Sequence, residues 1–406
     1  MRGADVRDTS DPMTSHLEPD GTTPPDAPGD QLQLHWFLPT GGDSRDLVAD
    51  PAQPHRREPT LAYLATVARA AEQLGFDGML TPTGTFCEDA WLATAALLAE
   101  TERIKFLVAF RPGLVSPTLA AQMASTYQRL SGGRLLMNVV TGADTAELAR
   151  FGDWLDHDSR YARTAEFLEI LRGAWSGQPL DLAGEHYHVA AATTRRVPDP
   201  VPPIYFGGAS AAAEEVAARW VDVYLAWGEP PEMVKARVER VAALAAGHGR
   251  TLRFGIRFHV ICRDSSEAAW AEADRLLDGV PDDAIAAAQA DFAATQSVGQ
   301  QRMASLHGGS RDREALEVAP GVWAGVGLVR GGAGTALVGS HEEVADVIER
   351  YHQLGFGEFI LSGYPHLEEA YWFGEGVMPI LRRRGLLSEA PAGAGAGEAG
   401  PMATFR

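Results

Sequence analysis

The 406-residue sequence predicts an α/β fold, a (β/α)8 TIM barrel with insertions, from three observations. Short apolar, β-branched segments alternate with amphipathic helical segments over most of the chain, a pattern typical of a parallel sheet. About eight such units fit a closed barrel better than an open sheet. No G-x-G-x-x-G motif follows the first strand, which argues against a dinucleotide-binding Rossmann fold.

The first half of the chain supplies four predicted strands, 32–38, 78–81, 104–110 and 134–140. A polar loop follows the first strand and runs to about Pro59, and Gly75 ends the next amphipathic helix. Ser116 followed by Pro117 predicts a helix start, because serine caps helices and proline suits their first turn.

The second half begins with a predicted helix over about 159–175 and a small hairpin insertion at 180–189. Ser340 and Glu343 form a capping box. Residues 265–295 are predicted to be helical, 296–320 to form a mobile lid, and the glycine-rich run 331–339 to be a loop. The remaining predicted strands are 204–206, 221–227, 254–261, 322–329 and 358–361.

Composition narrows the class of protein. The net charge of −19 disfavours nucleic acid and anionic membrane as partners, although a local positive pocket for a small anion is still allowed. Two cysteines indicate no disulfide framework, and no apolar run is long enough to span a membrane. We therefore expect a cytoplasmic protein with a disordered leader at 1–30, one barrel domain at 31–385 and a disordered tail at 386–406.

The predicted strand 254–261, FGIRFHVI, carries two groups that can be cationic. Arg257 and His259 lie two residues apart, so both side chains point to the same face of the strand. A buried charge is costly without a partner. Either acidic neighbours pair with both groups, or the two side chains form an anion site at the carboxyl end of a barrel strand.

Unusual residues collect where the other strands end, which is where barrels place their active sites. Each has an ordinary alternative: Cys87 as a small buried apolar residue, Trp227 in packing, the paired glycines as turns. Together they predict an anion pocket beside a phosphorylated cofactor, and the absence of HExxH or CxxC spacing predicts no metal. The residues that follow strands in this way include Cys87, Asn138, Gly208, Ser210, Trp227, Arg330 and Tyr364.

Several long stretches carry a resemblance. The chain resembles the FMNH2-dependent alkanesulfonate monooxygenases, within the bacterial-luciferase-like superfamily of TIM barrels, over roughly residues 32–382. The matching stretches are WFLPT at 36–40, PTG at 82–84, CEDAW at 87–91, LDHDSRY at 155–161, YFGGAS at 205–210, WGEPPE at 227–232, FGIRFHVI at 254–261, QSVGQQRMASLHGG at 296–309, WAGVGLVRGGAGTALVG at 323–339 and LSGYPHLEEAY at 361–371.

The resemblance implies a two-component enzyme. A separate NAD(P)H-dependent FMN reductase would supply reduced FMN, which reacts with O2 and converts an alkanesulfonate to an aldehyde and sulfite. A homo-oligomer, a dimer or a tetramer, is expected by the same analogy. A lid that excludes water would protect the reactive state of the flavin.

The resemblance also implies roles for single residues. Cys87 would lie near the flavin, and Arg257, His259 and Arg330 would stabilise the sulfonate and the anion formed from O2. Tyr364 would act as a proton donor in carbon–sulfur cleavage, and Trp227 would line the substrate pocket. Arg302 in the lid is expected to close over the substrate anion. The flavin would be held through its phosphate by His157, Tyr161, Gly208 and Ser210, and through its ring by Asn138.

Three departures from the family pattern bear on the substrate. Gly41 stands where the family has histidine, Thr85-Phe86 replaces Arg-Ser, and residues 194–196 replace apolar residues. All three are expected near the mouth of the site, where Arg195 or Arg196 would supply a charge. Three alternatives therefore stay open: another organosulfur substrate such as methanesulfonate or a sulfone, a deazaflavin-dependent dehydrogenase, and a non-catalytic binder.

Overall fold

The computed structural model describes residues 31–48, 56–142 and 144–388. The predicted leader lies outside these residues, and so does most of the predicted tail. The disordered tail was expected to begin at 386, but the first residues of that segment are ordered against the barrel. The carbonyl of Leu386 accepts a hydrogen bond from the backbone N–H of Leu32 at 2.7 Å, and Leu387 is buried.

Strands and helices alternate along the described chain as predicted. The strands are β1 (Gln33–Phe37), β2 (Gly78–Thr81), β3 (Lys105–Phe110), β4 (Leu135–Val139), β5 (Leu180–Ala183), β6 (His188–Ala192), β7 (Ile204–Gly207), β8 (Val223–Trp227), β9 (Arg253–Arg263), β10 (Glu317–Ala319), β11 (Val322–Trp323), β12 (Ala336–Ser340) and β13 (Glu358–Ser362). The helices are α1 (Leu61–Leu74), α2 (Ala90–Leu97), α3 (Pro117–Ser131), α4 (Thr145–Arg150), α5 (His157–Ala174), α6 (Ala211–Trp220), α7 (Pro231–Gly247), α8 (Ser266–Asp278), α9 (Asp282–Ala294), α10 (Val298–His307), α11 (Arg313–Leu316), α12 (His341–Gln353), α13 (His366–Tyr371) and α14 (Met378–Arg383).

Eight parallel strands close a barrel in the order β1, β2, β3, β4, β7, β8, β9 and β13, and β13 pairs with β1 to complete the ring. The predicted TIM barrel is therefore confirmed. Helices cover its outer face, and an inner layer of apolar side chains fills the barrel. That layer includes Phe37, Leu107, Leu136, Tyr205 and Ile360.

The predicted helix boundaries follow local chemistry. Ser116 caps α3 and Pro117 opens it. The capping box of Ser340 and Glu343 is present at the start of α12, because each side chain bonds the backbone N–H of the other. The hairpin insertion is present as β5 and β6.

The prediction for residues 322–339 places the strand and the loop at the wrong positions along the chain. Of the expected strand 322–329, only β11 is extended, and residues 325–328 form a 3-10 turn. The run is apolar because it is buried in a satellite core, and Gly334 packs against Gly327, where a Cβ atom would lie 2.5 Å from the Gly327 Cα. The strand is instead β12, inside the expected glycine-rich loop.

The lid predicted at 296–320 is not structureless. It contains α10, α11 and β10, joined by short polar turns. Ser297 caps α10, which is why a polar, glycine-containing stretch is still helical. Within the described residues, no helix combines the length and the apolar character that crossing a bilayer requires.

Candidate active site

A cavity of about 210 Å³ opens at the carboxyl ends of the barrel strands. Its walls come from several strand ends, from the first turn of α5 and from residues 296–299 at the start of the lid. Of the twelve predicted site residues, seven line this cavity. They are Asn138, His157, Tyr161, Gly208, Ser210, Trp227 and Arg257.

One end of the cavity is formed by the N-termini of two helices. His157 opens α5 and Tyr161 lies one turn later, with ring centroids 4.8 Å apart, and Ser210 caps α6. Burial raises the pKa of Tyr161, and its contacts with Ser210 and Thr141 offset that rise only in part. The phenol is therefore a neutral hydrogen-bonding group at neutral pH. Two helix N-termini with hydroxyl donors suit an anion such as a phosphate.

Glycine is required in this corner by close packing. A Cβ atom on Gly208 would lie 2.5 Å from the Ala213 Cβ and 3.3 Å from the Tyr161 hydroxyl. The carbonyl of Gly208 also accepts a hydrogen bond from the hydroxyl of Tyr224. The backbone after β7 is thus held close to the cavity wall.

Three arginines line the cavity, and each keeps one buried N–H group without a hydrogen-bond partner among the described residues: Arg160, Arg237 and Arg257. Arg160 also donates from Nη1 to the carbonyl of Leu155 at 2.6 Å, beside the two helix N-termini. Arg160 has no direct signal in the sequence, because a first-turn arginine is usually exposed.

Arg257 lines the cavity from β9. Its guanidinium stands 4.5 Å from the centre of the Phe37 ring, and its Nη2 donates to Ser362 Oγ at 3.4 Å. Burial and the neighbouring Arg330 lower the pKa of Arg257 to about 9. A buried cation next to a second cation favours an anionic ligand between them.

His259 was expected to share this role as a cation, and the structure places it differently. It is 1% exposed, and both of its ring nitrogens are engaged. Nε2 lies 3.1 Å from the carbonyl of Ala333, so it carries the proton, and Nδ1 accepts from Ser362 Oγ at 2.9 Å. Burial first, then Arg257 and Arg330, hold the pKa of His259 well below its usual value. The neutral ring reaches Arg257 through Ser362.

Arg330 and Tyr364 form a pair beside Arg257. Arg330 Nη1 donates to the Tyr364 hydroxyl at 2.5 Å, and the Tyr364 ring stacks on His259 with centroids 5.5 Å apart. Arg330 also stands 5.8 Å from the centre of the Phe37 ring. Four residues predicted from three separate stretches, Arg257, His259, Arg330 and Tyr364, are therefore brought into one cluster.

Arg302 does not lie at the cavity as expected. Its guanidinium is bound by Glu229, with Nε–Oε1 and Nη2–Oε2 distances of 2.9 and 2.6 Å. Glu229 is fully buried and also accepts from Arg237. The carboxylate therefore competes with any substrate anion for Arg302. Trp227 does line the cavity, beside Gly299 of the lid.

Cys87 lies outside the cavity lining. Its Sγ is 3.7 Å from the carbonyl of Pro82 and 3.6 Å from that of Gly84, and burial raises the pKa of the thiol. The group is a neutral thiol at neutral pH, so nucleophilic chemistry is disfavoured.

The departures from the family pattern divide into two groups. Gly41 and Phe86 are neighbours at the barrel mouth, and a Cβ on Gly41 would lie 3.0 Å from the Phe86 carbonyl oxygen. Arg195 and Arg196 were expected near the mouth too, which is wrong. They line a separate surface groove along α3 with Arg129.

Two buried residues of the mouth, Asp43 and His366, were missed. The His366 Nδ1 lies 2.8 Å from Asp43 Oδ1, and the backbone N–H of His366 donates to the same carboxylate. Their separation of 323 residues hides the pair from local sequence patterns. Among the residues described, no group of three or more His, Cys, Asp or Glu side chains is arranged to hold a metal ion.

The luciferase-like monooxygenase family matches residues 32–358. Solved structures with similar folds include a riboflavin lyase with modified FMN and riboflavin (20% identity, 88% of this chain and 93% of the other, TM-score 0.73). EDTA monooxygenase from Chelativorans sp. BNC1 is 19% identical over 89% of this chain and 96% of its own, with a TM-score of 0.70. An F420-dependent secondary alcohol dehydrogenase is 19% identical over 86% and 99%, with a TM-score of 0.62. At these identities, the structural likeness shows the fold alone.

Proposed function

The chain belongs to the luciferase-like monooxygenase family, and from that premise we propose that it uses reduced FMN and O2 to release sulfite from an alkanesulfonate. The overall reaction is R–CH2–SO3⁻ + O2 + FMNH2 → R–CHO + HSO3⁻ + FMN + H2O. It balances in atoms and in charge.

A single cavity lined by cationic groups from separate elements carries the proposal. Arg160 stands with the N-termini of α5 and α6, whereas Arg257 stands on β9. The strand before α5, β4, and the strand β9 are three places apart in the eight-stranded ring, so the two arginines reach the cavity from different parts of the barrel mouth. A phosphorylated cofactor and a second anion together would satisfy both arginines.

The residues near Arg160 fit FMN. His157, Tyr161 and Ser210 would hold its phosphate, and the partnerless Nε of Arg160 supplies a buried positive group nearby. Asn138, 8% exposed on β4, would bond the polar edge of the ring. When bound, the reduced flavin supplies the electrons that activate O2.

The residues near Arg257 fit a sulfonate. A sulfonate is a permanent anion, and Arg257 has an unpaired Nη1 for it. Arg330 and Tyr364 lie beside that position and would orient the reacting end of the substrate. A neutral sulfone would leave Arg257 and Arg330 without an anionic partner, so that alternative is disfavoured.

Two partners belong to the proposal. A separate NAD(P)H-dependent FMN reductase supplies the reduced flavin, and a homo-oligomer is the working assembly. The lid begins at the cavity wall with residues 296–299, a position from which α10 would exclude water during turnover.

The second candidate is a deazaflavin-dependent dehydrogenase. The fold is shared with an F420-dependent secondary alcohol dehydrogenase, and the N-termini of α5 and α6 would suit the phosphate of a deazaflavin as well as that of FMN. The two functions differ in O2 use, because a dehydrogenase transfers hydride and needs no O2.

The deciding assay pairs the protein with an FMN reductase and NADH, and scores sulfite from alkanesulfonates of increasing chain length and from methanesulfonate. We expect O2-dependent sulfite from at least one of them. Hydride transfer to F420 with an alcohol, without sulfite from any sulfonate, would overturn the proposal in favour of the dehydrogenase. The matched variants are Arg257→Gln, expected to lose sulfite formation, and the surface change Arg313→Gln, expected to keep it.

A further inference from the structure

Asp43 and His366 form a buried pair that no predicted role uses. Asp43 follows β1, and His366 opens α13 after β13, so both stand at the carboxyl ends of adjacent strands. Their exposed fractions are 3% and 2%. The carboxylate accepts from His366 Nδ1 at 2.8 Å and from the hydroxyl of Tyr63.

These contacts fix the position of the proton on the ring. Burial alone would raise the pKa of Asp43, but His366 and Tyr63 together hold it below its usual value. Asp43 is therefore an ionised acceptor, and Nδ1 of His366 carries a proton. The nitrogen left to exchange a proton is Nε2.

Nε2 of His366 is buried and has no hydrogen-bond partner among the described residues. The ring lies 5.4 Å from the centre of the Phe37 ring and 5.5 Å from that of Tyr364. Arg257 and Arg330 stand over the same Phe37 ring. The His366 ring therefore packs beside the cluster where the second anion is proposed to bind.

We propose that His366 is the proton donor of this site, held in position by Asp43. The inference rests on the proposed function. In the doubly protonated ring, the Nε2–H bond breaks and an O–H bond forms on the O2-derived oxygen that leaves as water, while the bonding pair stays on Nε2 and Nδ1 keeps its proton. The proton that the substrate carbon loses on becoming a carbonyl restores the ring. An Asp–His pair in which the carboxylate orients the imidazole is a known arrangement for such transfers.

The charged and titratable neighbours come from several elements. Arg257 and His259 lie on β9, Arg330 on the loop before β12, and Tyr364 on the loop after β13. On the other side, Tyr63 of α1 contacts Asp43 and accepts from Arg57, which pairs with Glu368. Arg257 and Arg330 favour release of a proton from His366 toward an anionic oxygen. The Asp43 carboxylate stabilises the imidazole ring when the ring holds two protons.

A purely structural pair would have the same distances, because Asp43 also accepts the backbone N–H of His366 and so anchors α13. The test must therefore separate Nε2 from the anchoring bond. Asparagine at 366 places an amide N–H near the position of Nδ1 and keeps the donor to Asp43, but it has no group at Nε2.

The first measurement is sulfite formation by the full-length His366→Asn protein with FMN reductase. We expect kcat to fall about 100-fold, the order of a lost general acid, with FMN affinity and melting temperature unchanged. The pH profile of kcat should lose the limb that depends on a protonated imidazole. The control is His248→Asn, which removes a surface histidine paired with Glu215 and should change nothing. If His366→Asn has the kcat and the pH profile of the wild type, the inference about His366 is overturned, while the proposed function stands.

The second measurement does not need turnover. In protein labelled with ¹⁵N-histidine, the His366 signals should show a protonated Nδ1, and octanesulfonate should shift the Nε2 resonance in wild type but not in Arg257→Gln. If the wild type forms no sulfite, the proposed function fails, and this measurement decides the inference separately. A protonated Nε2 with a bare Nδ1, or an Nε2 signal unmoved by the anion, would overturn it.

Discussion

Arg257 holds a positive charge where burial and a second cation both disfavour it. Its pKa of about 9 means that the guanidinium is charged below that pH and loses its charge above it. We expect the affinity for octanesulfonate to be constant from pH 7 to 8 and to fall about tenfold per pH unit above 9. Calorimetric titration of the protein between pH 7 and 10.5 measures this.

Lysine at the same position offers a control for the assignment. A lysine ammonium starts from a lower pKa than a guanidinium, so Arg257→Lys should move the loss of affinity to lower pH. Arg313→Lys, on the surface with Asp274, should leave the wild-type curve unchanged. Affinity that stays flat to pH 10.5 in the wild type would show that Arg257 does not carry the anion.

His259 should make the fold sensitive to acid. Because its folded pKa lies well below the unfolded value of about 6.5, the unfolded chain binds the proton more readily. Stability contributed by the neutral ring is present above pH ~6.5 and is lost as the pH falls, by up to ~1.4 kcal/mol per pH unit. Urea unfolding at pH 7.5, 6.5 and 5.5 measures the loss, and His259→Gln should have a smaller dependence. Equal pH dependence in the two proteins would contradict this account.

For Arg257 and His259, the local sequence pattern predicts the direction of the side chains but not their charge. Two residues at i and i+2 do point to one face of β9, as the strand pattern predicts. Their charges could not be predicted that way. Ser362, which bonds both side chains, lies 103 residues from His259. Ala333 and Arg330 come from the loop before β12, whose position the strand pattern does not predict.

At the scale of elements, β9 is the longest strand and explains the error at 322–339. Its first half pairs with β8 and β13 inside the barrel, while its last residues pair with β12 above the end of β8. Residues 336–340 form a strand because β9 projects far enough to offer them a partner. A run with three glycines among its first four residues, 331–334, gives no such signal; Gly332 there has a positive φ and Gly334 packs closely against Gly327.

Arg302 joins α10 to the barrel, and we expect its removal to loosen the lid. Glu229 is buried and keeps Arg237 as a partner in the Arg302→Gln variant, so the fold should persist. The amides of α10 should exchange with deuterium at least about 5-fold faster, because a charge-assisted bond is worth about 1.5–3 kcal/mol. Hydrogen exchange followed by mass spectrometry reports on residues 298–307 directly.

The control for that lid experiment is Arg313→Gln, which breaks an exposed pair with Asp274 on the adjoining segment. It should leave exchange in α10 unchanged, because exposed ion pairs contribute little. Protection of α10 that is equal in Arg302→Gln and in the wild type would show that packing against residues 325–328 alone holds the helix down.

At the scale of the whole molecule, the barrel brings together residues that the sequence scatters. Asn138, Gly208, Trp227 and Arg257 come from four different strands or their following loops, and closure places them around one cavity. Their positions at strand ends were predictable, because parallel strands share one carboxyl edge. The engagement of Arg302 by Glu229 was not, because the carboxylate follows β8 and the guanidinium belongs to a helix 73 residues later.

The outer face of α2 is the last feature that needs a partner. Leu92 is 75% exposed, and Ala95 and Ala96 are exposed on the same helix, so an apolar surface faces outward from a chain of net charge −19. Exposed apolar helix faces on soluble proteins commonly mark protein interfaces. We expect this face to pack against a second copy, and Ala96→Glu to weaken the oligomer by at least about tenfold in Kd, because it buries an unpaired charge. Analytical ultracentrifugation across a concentration series measures the shift.

Ala286→Glu introduces the same charge on the exposed face of α9 and should leave the association unchanged. A wild-type protein that sediments as a monomer at every concentration, or an Ala96→Glu protein that associates like the wild type, would show that α2 is not the interface.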